Sequence, residues 1–207
     1  MTPRALLLIG PTGAGKSPQG MLLEKAGAGL HFDFGHELRQ SVADPAAAPF
    51  PPRDAEFVRS LIQSCALLPH DRFDIALAVL RAFMKRRAFD PAAQRLILNG
   101  LPRHEAQARD LAPHVHVDKV AVLEAAASVL AQRVERRRAG LTLDHAGRDD
   151  DHAAAIAAKL RVYEAQTRPL IAFYASQPGV EILRLTVDGT TTDATLHAAL
   201  LDFCSNR

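Results

Sequence analysis

The sequence predicts a three-layer α/β fold, a parallel sheet of five strands flanked by helices. Three observations lead there. Short apolar runs alternate with longer segments of helical periodicity along the 207-residue chain, the pattern of a parallel sheet joined by helical crossovers. The first apolar run passes straight into a glycine-rich turn and then a helix. No apolar stretch approaches the roughly 20 residues that span a bilayer, and the length suits one domain.

The elements follow in order. The run 5–9, Ala-Leu-Leu-Leu-Ile, has no polar side chain, as a strand buried on both faces requires. A loop at 10–15 precedes a helix at 16–26, and a second short strand is expected at 30–34. Helical periodicity marks 55–68 and 73–87,. A third strand at 95–98 ends on Asn99-Gly100, and a fourth at 115–123 leads into a helix at 125–138. A long helix is expected at 152–177, bent or interrupted by Pro169,. A last strand at 180–187 and a helix at 193–204 close the chain. Two segments interrupt this plan, the proline-rich 44–53 and the polar, glycine-containing 139–151. Both read as mobile flaps over a site rather than as domain linkers.

Composition is that of an ordinary soluble chain, 48% hydrophobic and 23% charged, and a net charge of +2 lends nothing to a nucleic-acid reading,. Of the 25 basic residues, 20 are Arg, whose planar donor fork suits phosphate; codon preference in an Ala-rich chain explains that bias equally well. Cys65 and Cys204 match no metal spacing, so two reduced thiols in a cytoplasmic protein are expected. The apolar start is too short for a signal peptide.

Chemistry enters at Gly10-Pro-Thr-Gly13-Ala14-Gly15-Lys16-Ser17, which fits G-x-x-x-x-G-K-[ST] between an apolar strand and a helix,. This is the context of a P-loop, and it sharpens the fold class to a P-loop NTPase. Glycines let successive backbone N–H groups turn toward one anion, and the helix N-terminus adds a favourable dipole. Lys16 is placed to reach the outer phosphates and the Ser17 hydroxyl to ligate Mg²⁺.

Four stretches carry the reading further. The loop extends to Gln19. Asn99-Gly100-Leu101-Pro102-Arg103 is followed by Gln107. Arg133 and Arg137 lie four apart on one helix. Gly147-Arg148-Asp149-Asp150-Asp151 precedes a helix with Tyr163, Thr167, Pro169, Phe173 and Tyr174. Together, and in this order, they resemble the adenylate kinase family of nucleoside monophosphate kinases, short-lid type, over almost the whole chain. The resemblance implies a core at about 1–30, 71–138 and 152–207, a helical flap for the nucleoside monophosphate at about 31–70, and a short lid at about 139–151. It implies ATP and Mg²⁺ as cofactors and a nucleoside monophosphate, AMP first, as acceptor, in a monomer with no nucleic-acid or membrane partner.

Residue roles follow from the resemblance. Gly13, Ala14, Gly15, Lys16, Ser17, Pro18 and Arg133 would hold the donor nucleotide, with Gly189 either a backbone contact to its base or a turn glycine. Phe34, Arg39, Gly100, Arg103, Gln107, Arg148 and Lys159 would face the acceptor. Lys16, Arg103, Arg133, Arg137 and Arg148 would stabilise the transferring phosphoryl group. Arg39, Gln107 and the Arg133–Arg137 pair also have a plain reading as surface side chains.

Several positions depart from the family pattern. Its acid at the end of the third strand, which orients Mg²⁺, is Asn99 here, and the flap motif S-T-G-D reads Asp33-Phe34-Gly35-His36. Lys159 stands where an arginine is expected, and Ser17-Pro18 replaces Gly-Thr. Phe34 either stacks on a base or fills space where one sat. Asp33 is a turn residue, a replacement for the missing metal-orienting charge, or a general base. Two alternatives to a nucleoside monophosphate kinase therefore stand: a kinase of a small hydroxyl-bearing metabolite, and a nucleotide-binding protein with little turnover.

Overall fold

A computed structural model describes residues 1–140 and 153–205. Five parallel strands, β1 (Arg4–Ile9), β2 (Leu30–Asp33), β3 (Leu96–Asn99), β4 (His116–Ala125) and β5 (Glu181–Val187), form one sheet in the order β2-β3-β1-β4-β5. The helices are α1 (Lys16–Lys25), α2 (Phe34–Ala43), α3 (Pro52–Ser64), α4 (Phe73–Arg86), α5 (Glu105–Leu111), α6 (Ala127–Arg138), α7 (Ala153–Val162), α8 (Leu170–Ala175) and α9 (Asp193–Ser205). This is the P-loop NTPase architecture. None of these helices is long and apolar enough to cross a membrane.

The two faces of β1 explain its unbroken apolar run. Ala5, Leu7 and Ile9 enter a core shared with α2, α3, α4, α5 and α8, whereas Leu6 and Leu8 pack with Leu23 of α1 and Leu200 of α9. Side chains alternate across a strand, so both parities must be apolar when both faces are covered. In β4 a register shift opposite Ala5 and Leu6 absorbs one residue, Asp118, so that Val117 and Val120 lie in the same core,.

The N-terminal edge of the sheet is tied by charge. Asp118 accepts hydrogen bonds from Arg4 and Arg95. Burial pushes the Asp118 carboxyl up, but the hydrogen bonds and charges of Arg95 and Arg4 outweigh it and hold it below the usual range,. Beside it Lys119, only 1% exposed, donates to Glu181 at 3.1 Å and lies 4.6 Å from the Phe203 ring centre,.

The C-terminal edge is arranged differently. The crossover through α1 leaves β1 toward one face, and the one through α5 leaves β3 toward the other. Adjacent strands whose connections diverge open a crevice at their carboxyl ends. Asp33 and Asn99 are register partners there, directly before α2 and the Gly100 turn respectively.

The structure corrects three expected elements and adds two helices. The second strand ends at Asp33, and Phe34 already begins α2, an addition to the predicted set. The 105–111 helix is a second addition, capped by the His104 ring rather than by a usual capping residue. The long helix expected at 152–177 is α7, a π-helical turn at Tyr163–Thr167, and α8 beginning after Pro169. The helix expected at 55–68 starts earlier and stops at Ser64, where Cys65 takes a left-handed conformation, φ 56°,.

Candidate active site

The loop after β1 sets the centre of the crevice. Gly13 and Gly15 have φ of +85° and +98°, and a Cβ on Gly13 would lie 3.0 Å from the Leu130 carbonyl oxygen. Only glycine combines that conformation with that approach. Gly15 is the N-cap of α1, and no side chain caps it, so the first-turn N–H groups face the crevice. Pro18 fits because its position in the first turn has no intrahelical acceptor; the first such bond is Gln19 N–H to the Gly15 carbonyl, 3.1 Å,. The Ala14 side chain is buried among Leu123, Leu130 and Leu196. Lys16 Nζ donates to the carbonyls of Gly10 and Pro11 at 2.7 and 2.8 Å, which holds the ammonium over the loop.

A compact polar cluster sits at the start of α1. Ser17 Oγ donates to Asp33 Oδ2 at 2.7 Å, and Asn99 Nδ2 donates to the same oxygen at 2.9 Å and to Ser17 Oγ at 3.0 Å. Asp33 Oδ1 accepts from the His36 N–H at 3.0 Å and caps α2,. Asp33 therefore combines the turn reading with a place beside the P-loop hydroxyl. Both of its oxygens accept hydrogen bonds, Oδ1 from the α2 backbone and Oδ2 from Ser17 and Asn99.

Beyond this cluster the cavity is lined by Leu38, Leu61, Ile62 and the 65–68 segment, and by Arg39, Gly100, Arg103 and Gln107. Burial lowers the Arg103 guanidinium from its ordinary value and the nearby Asp33 charge raises it; guanidinium stays protonated under both. Arg103 Nε lies 3.4 Å from Thr167 Oγ1, a contact set by the π-helical turn. Gln107, fully buried, accepts from the Arg103 N–H at 2.8 Å and donates to the Leu68 carbonyl at 2.6 Å. Its amide thus ties the end of the 65–68 segment to the Arg103 loop, a positioning task the sequence did not reveal. Phe34 is buried, 6.1 Å from the Phe32 ring, and also lines the cavity. Gly100, φ +83°, lies against Phe34, and the Arg39 guanidinium approaches Gly35 beside Asp33.

The residues expected to hold the donor nucleotide gather on the other flank. Leu130 and Val134 of α6 pack on Gly13, which brings Arg133 alongside Gly15. Arg133 Nη2 donates to Asp193 Oδ1 at 2.9 Å, and Gln19 Nε2 donates to the Asp193 carbonyl at 2.9 Å. Gly189 lies in the exposed β5–α9 turn, where the Thr191 and Thr190 hydroxyls pull the Asp188 carboxyl down to about 2. Lys159 and Tyr163 line the cavity from α7 and the π-helical turn. Arg148, residues 141–151 of the expected lid and the Arg137 side chain lie outside the described residues.

Sixteen-residue to 82-residue separations join Ser17, Asp33 and Asn99, and Asp193 lies 60 residues from the arginine it holds. Asp193 and the apolar 61–68 wall went unread in the sequence. An acid in the first turn of a helix signals only capping, and an apolar helix face signals only core. Among the described residues no group of three His, Cys, Asp or Glu side chains forms a metal cage. One carboxylate beside one hydroxyl instead suits a hard cation that keeps most of its waters.

A family model described as adenylate kinase matches residues 8–178. The adenylate kinase of Parvibaculum lavamentivorans is 33% identical over 191 residues, covering 89% of this chain and 83% of that protein. That of Deinococcus radiodurans is 30% identical over 207 residues, covering 96% and 95%. That of Parasynechococcus marenigrum is 34% identical over 176 residues, covering 82% and 83%.

Proposed function

Since this chain belongs to the adenylate kinase family, we propose that it transfers the γ-phosphoryl group of MgATP to the phosphate of a nucleoside monophosphate, AMP before others. The observation that carries the reading is one crevice lined by a P-loop and also by an apolar wall together with Arg39 and Arg103. A polyanion fits the first and a base with a phosphate fits the second.

In this mechanism the loop N–H groups and Lys16 hold the donor phosphates, and Arg133, braced by Asp193, supports them from α6. Arg39 and Arg103 hold the acceptor phosphate in line. The acceptor is already ionised, so no general base is required. Mg²⁺ fits the Ser17 hydroxyl and Asp33 carboxylate, 2.7 Å apart, and when bound it neutralises charge on the outer phosphates. Segment 31–70 acts as the acceptor flap and the residues after Arg138 as a lid, Arg137 and Arg148 contributing from that side; closure keeps water from competing as acceptor. Lys159 keeps a charge at its place but loses the bidentate fork of arginine.

A coupled assay of ADP release, with ATP, Mg²⁺ and a panel of nucleoside monophosphates, small alcohols and no acceptor, tests this. AMP should give the fastest turnover. Turnover confined to an alcohol, or none with any monophosphate, would refute the reading.

A further inference from the structure

The metal of a P-loop enzyme is held by the loop hydroxyl and by an acid on a neighbouring strand. Here the strand beside β1 ends in Asn99, which carries no charge, yet a carboxylate still stands next to the hydroxyl. It comes from one strand further out. Asp33 and Asn99 are register partners on β2 and β3, and both reach Ser17 Oγ or one another within 3.0 Å. We infer that the carboxylate serving the metal has been transposed from the end of β3 to the end of β2, so that Asp33 is the acid of the Mg²⁺ site and Asn99 its positioning partner. The inference rests on reading this crevice as a MgATP site.

Asn99 is what the transposition requires. An ionised carboxylate only accepts hydrogen bonds, so the group facing Asp33 Oδ2 must donate. The Asn99 amide does so at 2.9 Å, and a second acid there would set two like charges at that distance within a buried cluster,. One of the two positions holds the acid and the other the amide. The opposite oxygen of Asp33 is fixed by the His36 N–H, which leaves Oδ2 aimed at the loop hydroxyl. Charge and direction both suit a hydrated divalent cation at Ser17.

The test exchanges the two side chains, Asp33→Asn and the double variant Asp33→Asn/Asn99→Asp. Mn²⁺ affinity is read by electron paramagnetic resonance in the presence of a non-hydrolysable imido analogue of ATP, and analogue affinity is read separately in EDTA. Asn is as good an N-cap as Asp, so α2 is retained. Asp33→Asn should weaken Mn²⁺ binding by about tenfold or more, with metal-free analogue affinity unchanged. The double variant should recover most of the loss; a loss that does not recover still assigns the charge to Asp33 and adds that its place on β2 matters. Mn²⁺ affinity within about twofold of the parent in Asp33→Asn, or loss of metal-free analogue binding in that variant, overturns the proposal. Failure of the unaltered chain to bind the analogue at all would instead overturn the nucleotide-site reading beneath it.

Discussion

The two edges of the sheet handle buried charge in opposite ways. At the N-terminal edge, Asp118 is held by Arg4 and Arg95, and Lys119 by Glu181. At the C-terminal edge, the described residues lining the crevice include Lys16, Arg39, Arg103 and Lys159 against a single acid, Asp33. Ion-paired charges close one edge and hold the strands in register. An excess of cations around one carboxylate leaves the other edge suited to a polyanion. The contrast separates residues that serve stability from residues that serve chemistry, which otherwise look alike as basic side chains half-sunk in protein.

That separation yields three mutational expectations, graded by size. Lys16→Ala should lower turnover by about a thousandfold, the scale of losing a phosphate-charge stabiliser, with the thermal midpoint nearly unchanged; the coupled ADP assay and a melting curve check both. Turnover close to the parent would remove Lys16 from the mechanism. Arg103→Lys should raise the acceptor KM by roughly ten- to a hundredfold through loss of a charge-assisted contact, while the ATP KM stays near the parent value. Equal losses for both substrates would place Arg103 outside the acceptor half.

Asp118→Asn should do the reverse, costing about 3 kcal/mol of stability in urea unfolding because two guanidinium groups lose their anion, with kcat unchanged. Its pH dependence follows from the depressed Asp118 carboxyl. A carboxylate lowered on folding contributes stability above its unfolded value, near 3.9, and loses it as pH falls through the lower folded value. The gap between parent and variant should therefore persist at neutral pH and narrow in acid. A gap independent of pH would show that packing, not charge, holds that edge.

Legibility from the sequence followed chain distance. The five strands, the P-loop and most helices were readable because each rests on a local period or on spacing within a few residues. The misread elements were those in which a local rule was broken by packing. α5 is short and capped by a histidine ring. The helical run after Thr167 restarts at α8 because the π-helical turn places Tyr163, Leu170 and Tyr174 in one core. Asp33 was legible only as a set of alternatives, since a capping acid and a metal-side acid have the same letter and the same neighbours.

Residue order alone therefore settled the fold class, the phosphate loop and the identity of the basic residues, because backbone conformation and hydrophobic period act over one or two turns of chain. It also showed that an acid was missing at Asn99. Folding decided which residues stand beside it. β2 lies beside β3 in register, so Asp33 stands next to Asn99 and Ser17 although neither is near it in the chain. Likewise Asp193 reaches Arg133, and Gln107 spends its amide on Leu68. Hydrogen bonds and ion pairs act over about 3 Å, and only strand order and helix packing determine which distant residues come that close.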